Sequence, residues 1–311
     1  VDFLEIDGAE QRLINFHPRF PINVPRRYAE KMPKGLIEHP ITLQFLPLLE
    51  EAQVKPGWLA DPVCDTEFQH TERLLQKYHG RALLVTTGAC MVHCRYCFRQ
   101  NYDYPSRSNF ESELTLIRSD TSLREVILSG GDPLSLSDHH LLELVEALDS
   151  IPHLKRLRIH SRFPIGIPER LHDGLLHAIG KLRLQTWLVV HANHALEIDQ
   201  DVAHALRRCL RVGIPVLNQA VLLRNVNDSL ESQVALCERL VDIGVQPYYL
   251  HQMDRVAGAH RFEVPVEHGL QLIEQMRARL SGYAMPQYVQ EVPGEPSKSP
   301  LALESQLSHT L

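Results

Sequence analysis

The sequence has no run of about 18 apolar residues, and so no candidate transmembrane helix. It has no block of like charges and no basic bias, and its formal net charge is −6. That balance argues against a general nucleic-acid binder, whose surface carries an excess of Lys and Arg. No internal repeat and no low-complexity tract interrupts it. The first residues, Val1-Asp2-Phe3-Leu4-Glu5, lack the basic start and the apolar stretch of a secretory signal. The missing initiator Met is expected of a trimmed or partial chain. Cysteine is scarce, six in 311 residues. In a chain without an export signal this points to a reducing, cytoplasmic location and away from disulfides.

What is present is a periodic α/β pattern. Apolar residues make up 44% of the chain, enough for a substantial core. Strand-like runs are predicted at 81–87, 125–129, 154–160, 185–191, 215–223 and 246–252. Amphipathic helices are predicted between and after them at 112–119, 137–150, 168–182, 200–212, 229–243 and 267–280. Such alternation reads as successive βα units on a parallel sheet. Six units suit an open, partial barrel, with chemistry at the C-terminal ends of the strands. Residues 1–65 differ: they are rich in proline and weakly periodic, and read as an extended, partly helical arm packed on the barrel or on a partner subunit. A helix at 66–78 is expected to lead into the barrel, which spans 66–282. A segment at 283–311, rich in Pro and Gly, follows.

Three of the cysteines, Cys90, Cys94 and Cys97, fall within eight residues, directly after the first barrel strand. Three thiolates on a [4Fe–4S] cluster leave one iron open to an outside molecule. Zinc is the competing reading, but it wants a fourth ligand, and His93 is badly placed beside Cys94 to share its metal. Cys209 and Cys237 fall in helical patterns and read as buried small hydrophobes. Cys64 has no assigned role. After the second strand comes Gly130-Gly131-Asp132-Pro133, where two glycines permit close backbone approach and Asp132 adds a charge. A Gly-Gly-Asp turn is also an ordinary turn. Arg99 is either a solvated arginine or a planar fork for a carboxylate beside the triplet. Lys298 stands between Pro296 and Pro300 and reads alone as an exposed lysine. His191 and His194, at a strand end, either line the pocket or pack; His139 and His140 read as helix surface.

The spacing C-x3-C-x2-C with Tyr96 before the last cysteine resembles the radical S-adenosylmethionine (SAM) enzymes. The ordered set is more specific. The triplet with Arg99, the Gly-Gly-Asp-Pro turn, His191-Ala192-Asn193-His194, residues 222–228 (Leu-Leu-Arg-Asn-Val-Asn-Asp), residues 248–254 (Tyr-Tyr-Leu-His-Gln-Met-Asp) and Pro293-Gly294 through Lys298 resemble the lysine 2,3-aminomutase family. The likeness runs over about residues 15–300. The tail is more similar to the short branch that makes β-lysine for modification of elongation factor P.

The resemblance implies a partial (β/α)6 radical-SAM-type barrel with an N-terminal arm and a C-terminal segment carrying a pyridoxal phosphate (PLP) lysine. It implies an isomerase that moves the α-amino group of L-lysine to the β-carbon, started by a 5′-deoxyadenosyl radical. Its implied cofactors are a [4Fe–4S] cluster on Cys90, Cys94 and Cys97, SAM, and PLP on Lys298. Tyr96 would lie near the SAM adenine, and Gly130, Gly131 and Asp132 would hold its ammonium group. Arg81 and Arg162 would bind the PLP phosphate. Arg99 would take the substrate carboxylate, and Asp254 and Glu291 the side-chain ammonium. Glu291 stands where the long aminomutases have Asp, and Gly294-Glu295-Pro296-Ser297 replaces their run of glycines. Implied partners are lysine, a functional link to the enzyme that transfers β-lysine to elongation factor P, and a second copy of the chain, with no nucleic acid and no membrane. The alternatives are an aminomutase for another amino acid, a radical SAM enzyme without PLP, and a non-catalytic iron–sulfur protein.

Overall fold

The computed structural model describes residues 2–105 and 109–302. Nine strands form one sheet in chain order: β1 Leu74–Tyr78, β2 Arg81–Thr87, β3 Glu125–Gly130, β4 Arg156–Ser161, β5 Gln185–Val190, β6 Val216–Val221, β7 Gln246–His251, β8 Gln287–Gln290 and β9 Ser299–Pro300. Strands β2 to β8 run parallel; β1 and β9 pair antiparallel at the two edges. Helices α1 Glu111–Ser119, α2 Asp138–Asp149, α3 Asp173–Gly180, α4 Gln200–Arg211, α5 Leu230–Val241 and α6 Val266–Arg277 alternate with β2 to β8. Chain-order strands with helical crossovers are the topology of an open (β/α) barrel. No helix among the described residues is long and apolar enough to cross a membrane.

The strand faces follow from their side chains. In β4, Leu157 and Ile159 are buried outward, whereas Arg158 and His160 alternate with them toward the concave face. Helix starts carry the expected caps: Ser137, His172, Asp199 and Ser229 each accept an N–H bond from the first turn of α2 to α5. Cys209 and Cys237 are buried, as their helical positions predict.

One expectation needs correction. The helix at 66–78 is absent: a short 3-10 turn at Asp65–Phe68 is followed by β1. Gly80 at φ 70° makes the tight reversal between β1 and β2. The six βα units stand as expected, and β8 adds a seventh parallel strand from the tail. The proline-rich arm does pack on the barrel. Its Tyr28 and Phe45 are fully buried, and Ile14 bridges to Leu48 and Leu59 to Val256.

Candidate active site

The cysteine loop leaves β2 without regular structure and is held from outside by the arm. The His93 and Arg95 amides donate to the carbonyls of Asn23 and Gln44, both at 2.9 Å. Asn23 Nδ2 donates to the Cys90 carbonyl at 2.8 Å. Arg95 forms a buried ion pair with Glu51, Nη2 to Oε2 2.5 Å. Burial pushes the Cys97 thiol up to about 11, and charge on Cys94 adds to it. Burial likewise raises Cys90, with contributions from Asp132, Cys94 and Cys97. The three thiols therefore lie within electrostatic reach of one another. Among the described residues, no three His, Cys, Asp or Glu side chains close on a single metal ion. Three thiols on one loop, each within reach of the others' charge, fit a cluster whose irons stand at separate corners.

The glycine turn is packed directly on this loop. Gly130 has φ +118°, and a Cβ on Gly131 would lie 2.3 Å from the Ala89 carbonyl oxygen. The Gly131 and Asp132 amides donate to Thr87 and Ala89 at 2.7 and 2.8 Å. Asp132 does not present a free charge, as the sequence reading expected. Its carboxylate is 1% exposed and accepts from Ser161 Oγ and from the amides of Leu134, Arg162 and Phe163. Burial still raises it to about 6. It ties the end of β3 to the end of β4.

Arg162 is also placed differently from the expectation. It is buried and paired with Glu197 at 2.7 Å, and it donates to Gln44 Oε1 at 2.8 Å, to Tyr96 Oη and to Cys94 Sγ at 2.9 Å. Both its terminal nitrogens are bonded to these partners, which sets it against the cysteine loop, while its Nε is buried without a partner in the protein. Tyr96 is buried in the same network. Its Oη lies 3.1 Å from His191 Nε2 and accepts from Asn193 Nδ2 at 2.6 Å, and its ring stacks on His191. His191 thus lines the site, held neutral by burial and then by Arg162, at about 3. His194 instead caps the turn Ala195–Glu197.

Arg81, at the start of β2, lies over the Tyr78 ring at 4.9 Å. Its companion is Arg158 on β4, which pairs with Glu125 at 2.5 Å; both cations bear on Tyr249. Buried Nε atoms of Arg81 and Arg158 and Nε2 of His160 have no partner within the protein. Unmade donors at buried cations are costly, and this set fits an anion of several oxygens such as a phosphate.

The third group closes the barrel's open side. In the β8–β9 pair Gln290 faces Ser299, so the next cross-strand pair is Glu291 with Lys298. Their side chains form an ion pair. Glu291 also accepts from Tyr78 Oη at 2.7 Å and lies 3.7 Å from Lys77 Nζ, which joins the two sheet edges. Lys77 pairs with Asp65 at 2.8 Å, and Asp65 with Arg99 at 2.7 Å. Burial opposes charge on Asp65 and Glu291, but Arg99 and Lys77 on one and Lys298, Tyr78 and Lys77 on the other hold both below the usual range. Asp254, just past β7, has no ion-pair partner among the described residues. Burial raises it to about 7, partly offset by Lys298. Lys298 also bears on His160 and His251, which burial keeps neutral.

The structure thus gathers Arg99, Asp254, Glu291 and Lys298 into one cluster, puts Arg81 at the other end of β2, and leaves Arg162 with the cysteines. Sequence reasoning missed Asp65, Lys77, Arg158, His160 and Glu197. The run Arg156-Leu157-Arg158-Ile159-His160 carried a signal, since alternate basic residues in a buried parallel strand need a polar interior to face.

The family described as "4Fe-4S single cluster domain" matches residues 79–157. The chain is 42% identical to the L-lysine 2,3-aminomutase of Escherichia coli K12, over 97% of this chain and 90% of that one. It is 38% identical to the L-lysine 2,3-aminomutase of Haemophilus influenzae, over 90% and 84%. Among solved structures, Streptococcus suis SuiB bound to S-adenosylmethionine aligns with TM-score 0.54 and 13% identity, covering 70% of this chain and 51% of that one. At that identity the match speaks for the fold alone.

Proposed function

The chain belongs to the lysine 2,3-aminomutase family, and on that premise we propose that it converts L-lysine to β-lysine, using a [4Fe–4S] cluster, SAM and PLP. The observation that carries the proposal is the pairing of two centres across one barrel lumen: a buried three-thiol loop at the strand ends, and a lysine held among three acids at the barrel's edge. When bound, the cluster and SAM supply the radical that takes hydrogen from the substrate, and PLP supplies the carbonyl and ring that carry the migrating nitrogen.

The protein's own residues hold and exclude. Cys90, Cys94 and Cys97 take the cluster, and Gly130 and Gly131 keep side chains away from the SAM side of the loop. Tyr96 and His191 wall that side. Arg81, with Arg158 and His160, receives the phosphate, and Lys298 anchors the cofactor. Charge counting assigns the substrate's place. Asp65, Asp254 and Glu291 face Lys77, Arg99 and Lys298. Once Lys298 is committed to the cofactor, Glu291 loses its ion-pair partner beside the unpaired Asp254, and the ammonium of lysine can answer these two acids. Arg99 keeps part of its fork for the carboxylate. The arm, barrel and C-terminal segment act as the three working parts, and the chain works in the cytoplasm. The run Pro293-Gly294-Glu295-Pro296-Ser297-Lys298, similar to that of the short branch, favours a supply of β-lysine for elongation factor P. The direct test is anaerobic incubation with lysine, SAM, PLP and a reductant, followed by chiral product analysis; absence of β-lysine overturns the proposal.

Asp254 gives a sharper expectation. An unpaired ammonium in a buried pocket costs about 2–5 kcal/mol. Asp254→Asn therefore lowers kcat/KM for lysine by roughly tenfold or more and affects a neutral isostere much less. Equal losses for both show that Asp254 supports the fold alone. The pH dependence follows from the sign of its shift. Its carboxyl ionises near 7 in the folded protein against a usual 3.8. The substrate-free protein therefore holds an extra proton between those values and loses stability as pH rises through that window. Lysine binding releases that proton, so its affinity falls as pH drops below about 7. Calorimetry at pH 6 in buffers of different ionisation enthalpy measures this release, and a heat independent of buffer contradicts it.

A further inference from the structure

We propose that the cleft between the N-terminal arm and the turn His260–Phe262 is a second small-molecule site, built for a zwitterionic amino acid with an apolar side chain. The cavity has a volume of about 530 Å3. Neither the cysteine triplet nor Lys298, Asp254 or Glu291 lines it, so it is separate from the lumen.

Its floor is unusually rich in unmet donors. Arg261 and His260 both line it, with side chains only 7% and 8% exposed. Arg261 uses one terminal nitrogen: Nη2 donates to the Leu43 and Leu46 carbonyls, each at 2.9 Å, and to Glu51 at 3.3 Å. Its Nε and Nη1 are buried without a partner in the protein, and so are both ring nitrogens of His260. The nearest acid to His260, Glu50, lies 3.4 Å away without hydrogen-bond alignment. A buried guanidinium with two unmade N–H bonds beside an unbonded imidazole calls for a ligand with paired acceptor oxygens, and a carboxylate matches that fork.

An opposite group lines the same cavity. Glu10 Oε2 is buried and unbonded, an acceptor for an ammonium group. Trp58, Leu13 and Leu48 line the cavity as well, beside charged residues that include Lys55, Arg224 and Glu263. The orphan donors and the orphan acceptor together call for a zwitterion, and Trp58, Leu13 and Leu48 offer contact area to an apolar side chain. The catalytic lumen selects the reverse, a side-chain cation. The inference does not depend on the lysine reaction.

The test is calorimetric titration of the full chain, loaded with its cofactors, with L-leucine. One site per chain is expected, with acetate and ethylammonium each binding at least about tenfold more weakly than leucine. Arg261→Met removes the carboxylate end but also frees the arm at Leu43 and Leu46, so the decisive variant is Glu10→Gln, whose side chain makes no hydrogen bond of its own. It is expected to weaken leucine about tenfold and leave lysine turnover unchanged. No heat with millimolar leucine overturns the proposal. So does a titration that Glu10→Gln leaves unaltered, or one abolished by Asp254→Asn, which places the ligand in the lumen.

Discussion

Replacing any one of Cys90, Cys94 or Cys97 by Ala is expected to abolish SAM cleavage, whereas Cys209→Ala is expected to leave it intact. The argument is one of charge as well as valence. Burial holds Cys97 near 11 and raises Cys90 too, so these groups remain thiols until iron supplies compensating charge. Removing one ligand uncovers an iron and deprives the other two of the metal that ionises them. Arg162, 2.9 Å from Cys94 Sγ, is already paired with Glu197 and cannot stand in for the metal. Cys209 packs inside α4 as a small hydrophobe and touches none of this. Iron and sulfide counts after anaerobic reconstitution decide the point. A triple variant that keeps a full complement of both places the cluster elsewhere.

Lys298→Ala is expected to lower turnover by about a thousandfold or more and to remove bound PLP's covalent link to the protein. Borohydride reduction followed by peptide mapping places the pyridoxyl group on Lys298 in the native chain; labelling of Lys155 or Lys181 sinks the assignment. The position is chosen by strand geometry. Glu291 and Lys298 are a cross-strand pair at the end of β8 and β9, and the carboxylate keeps the amine at the lumen's edge beside Asp254 and His251. Glu291→Gln therefore separates two roles: it loosens the lysine without removing it, so the label stays on Lys298 while substrate affinity falls.

The six central strands and their helices were legible because continuous apolar runs bounded by caps have few other readings. The tail strands were not: β8 and β9 are four and two residues long, too short for periodicity to register. The segment Leu74-Leu75-Gln76-Lys77-Tyr78 is made mostly of good helix formers, and only pairing with β2 makes it a strand. In the site, residues in a dense local motif were visible, and those whose meaning is a long-range partner were not. Asp65 meets Arg99 across 34 positions and Glu197 meets Arg162 across 35. The partners of Arg162 and Asp132 were hidden for the same reason: Glu197 and Ser161 lie 35 and 29 positions away, and nothing local reveals them.

The edge position of β9 also sets a timetable. Lys298 leaves the ribosome about 200 residues after Cys97. At about 5–20 residues per second that is a delay of roughly 10–40 s. During it β2 to β7 exist with their cysteine loop, while the Lys298 strap that closes their side does not. On the proposed assignments the two centres would become available to their cofactors in sequence, iron before pyridoxal.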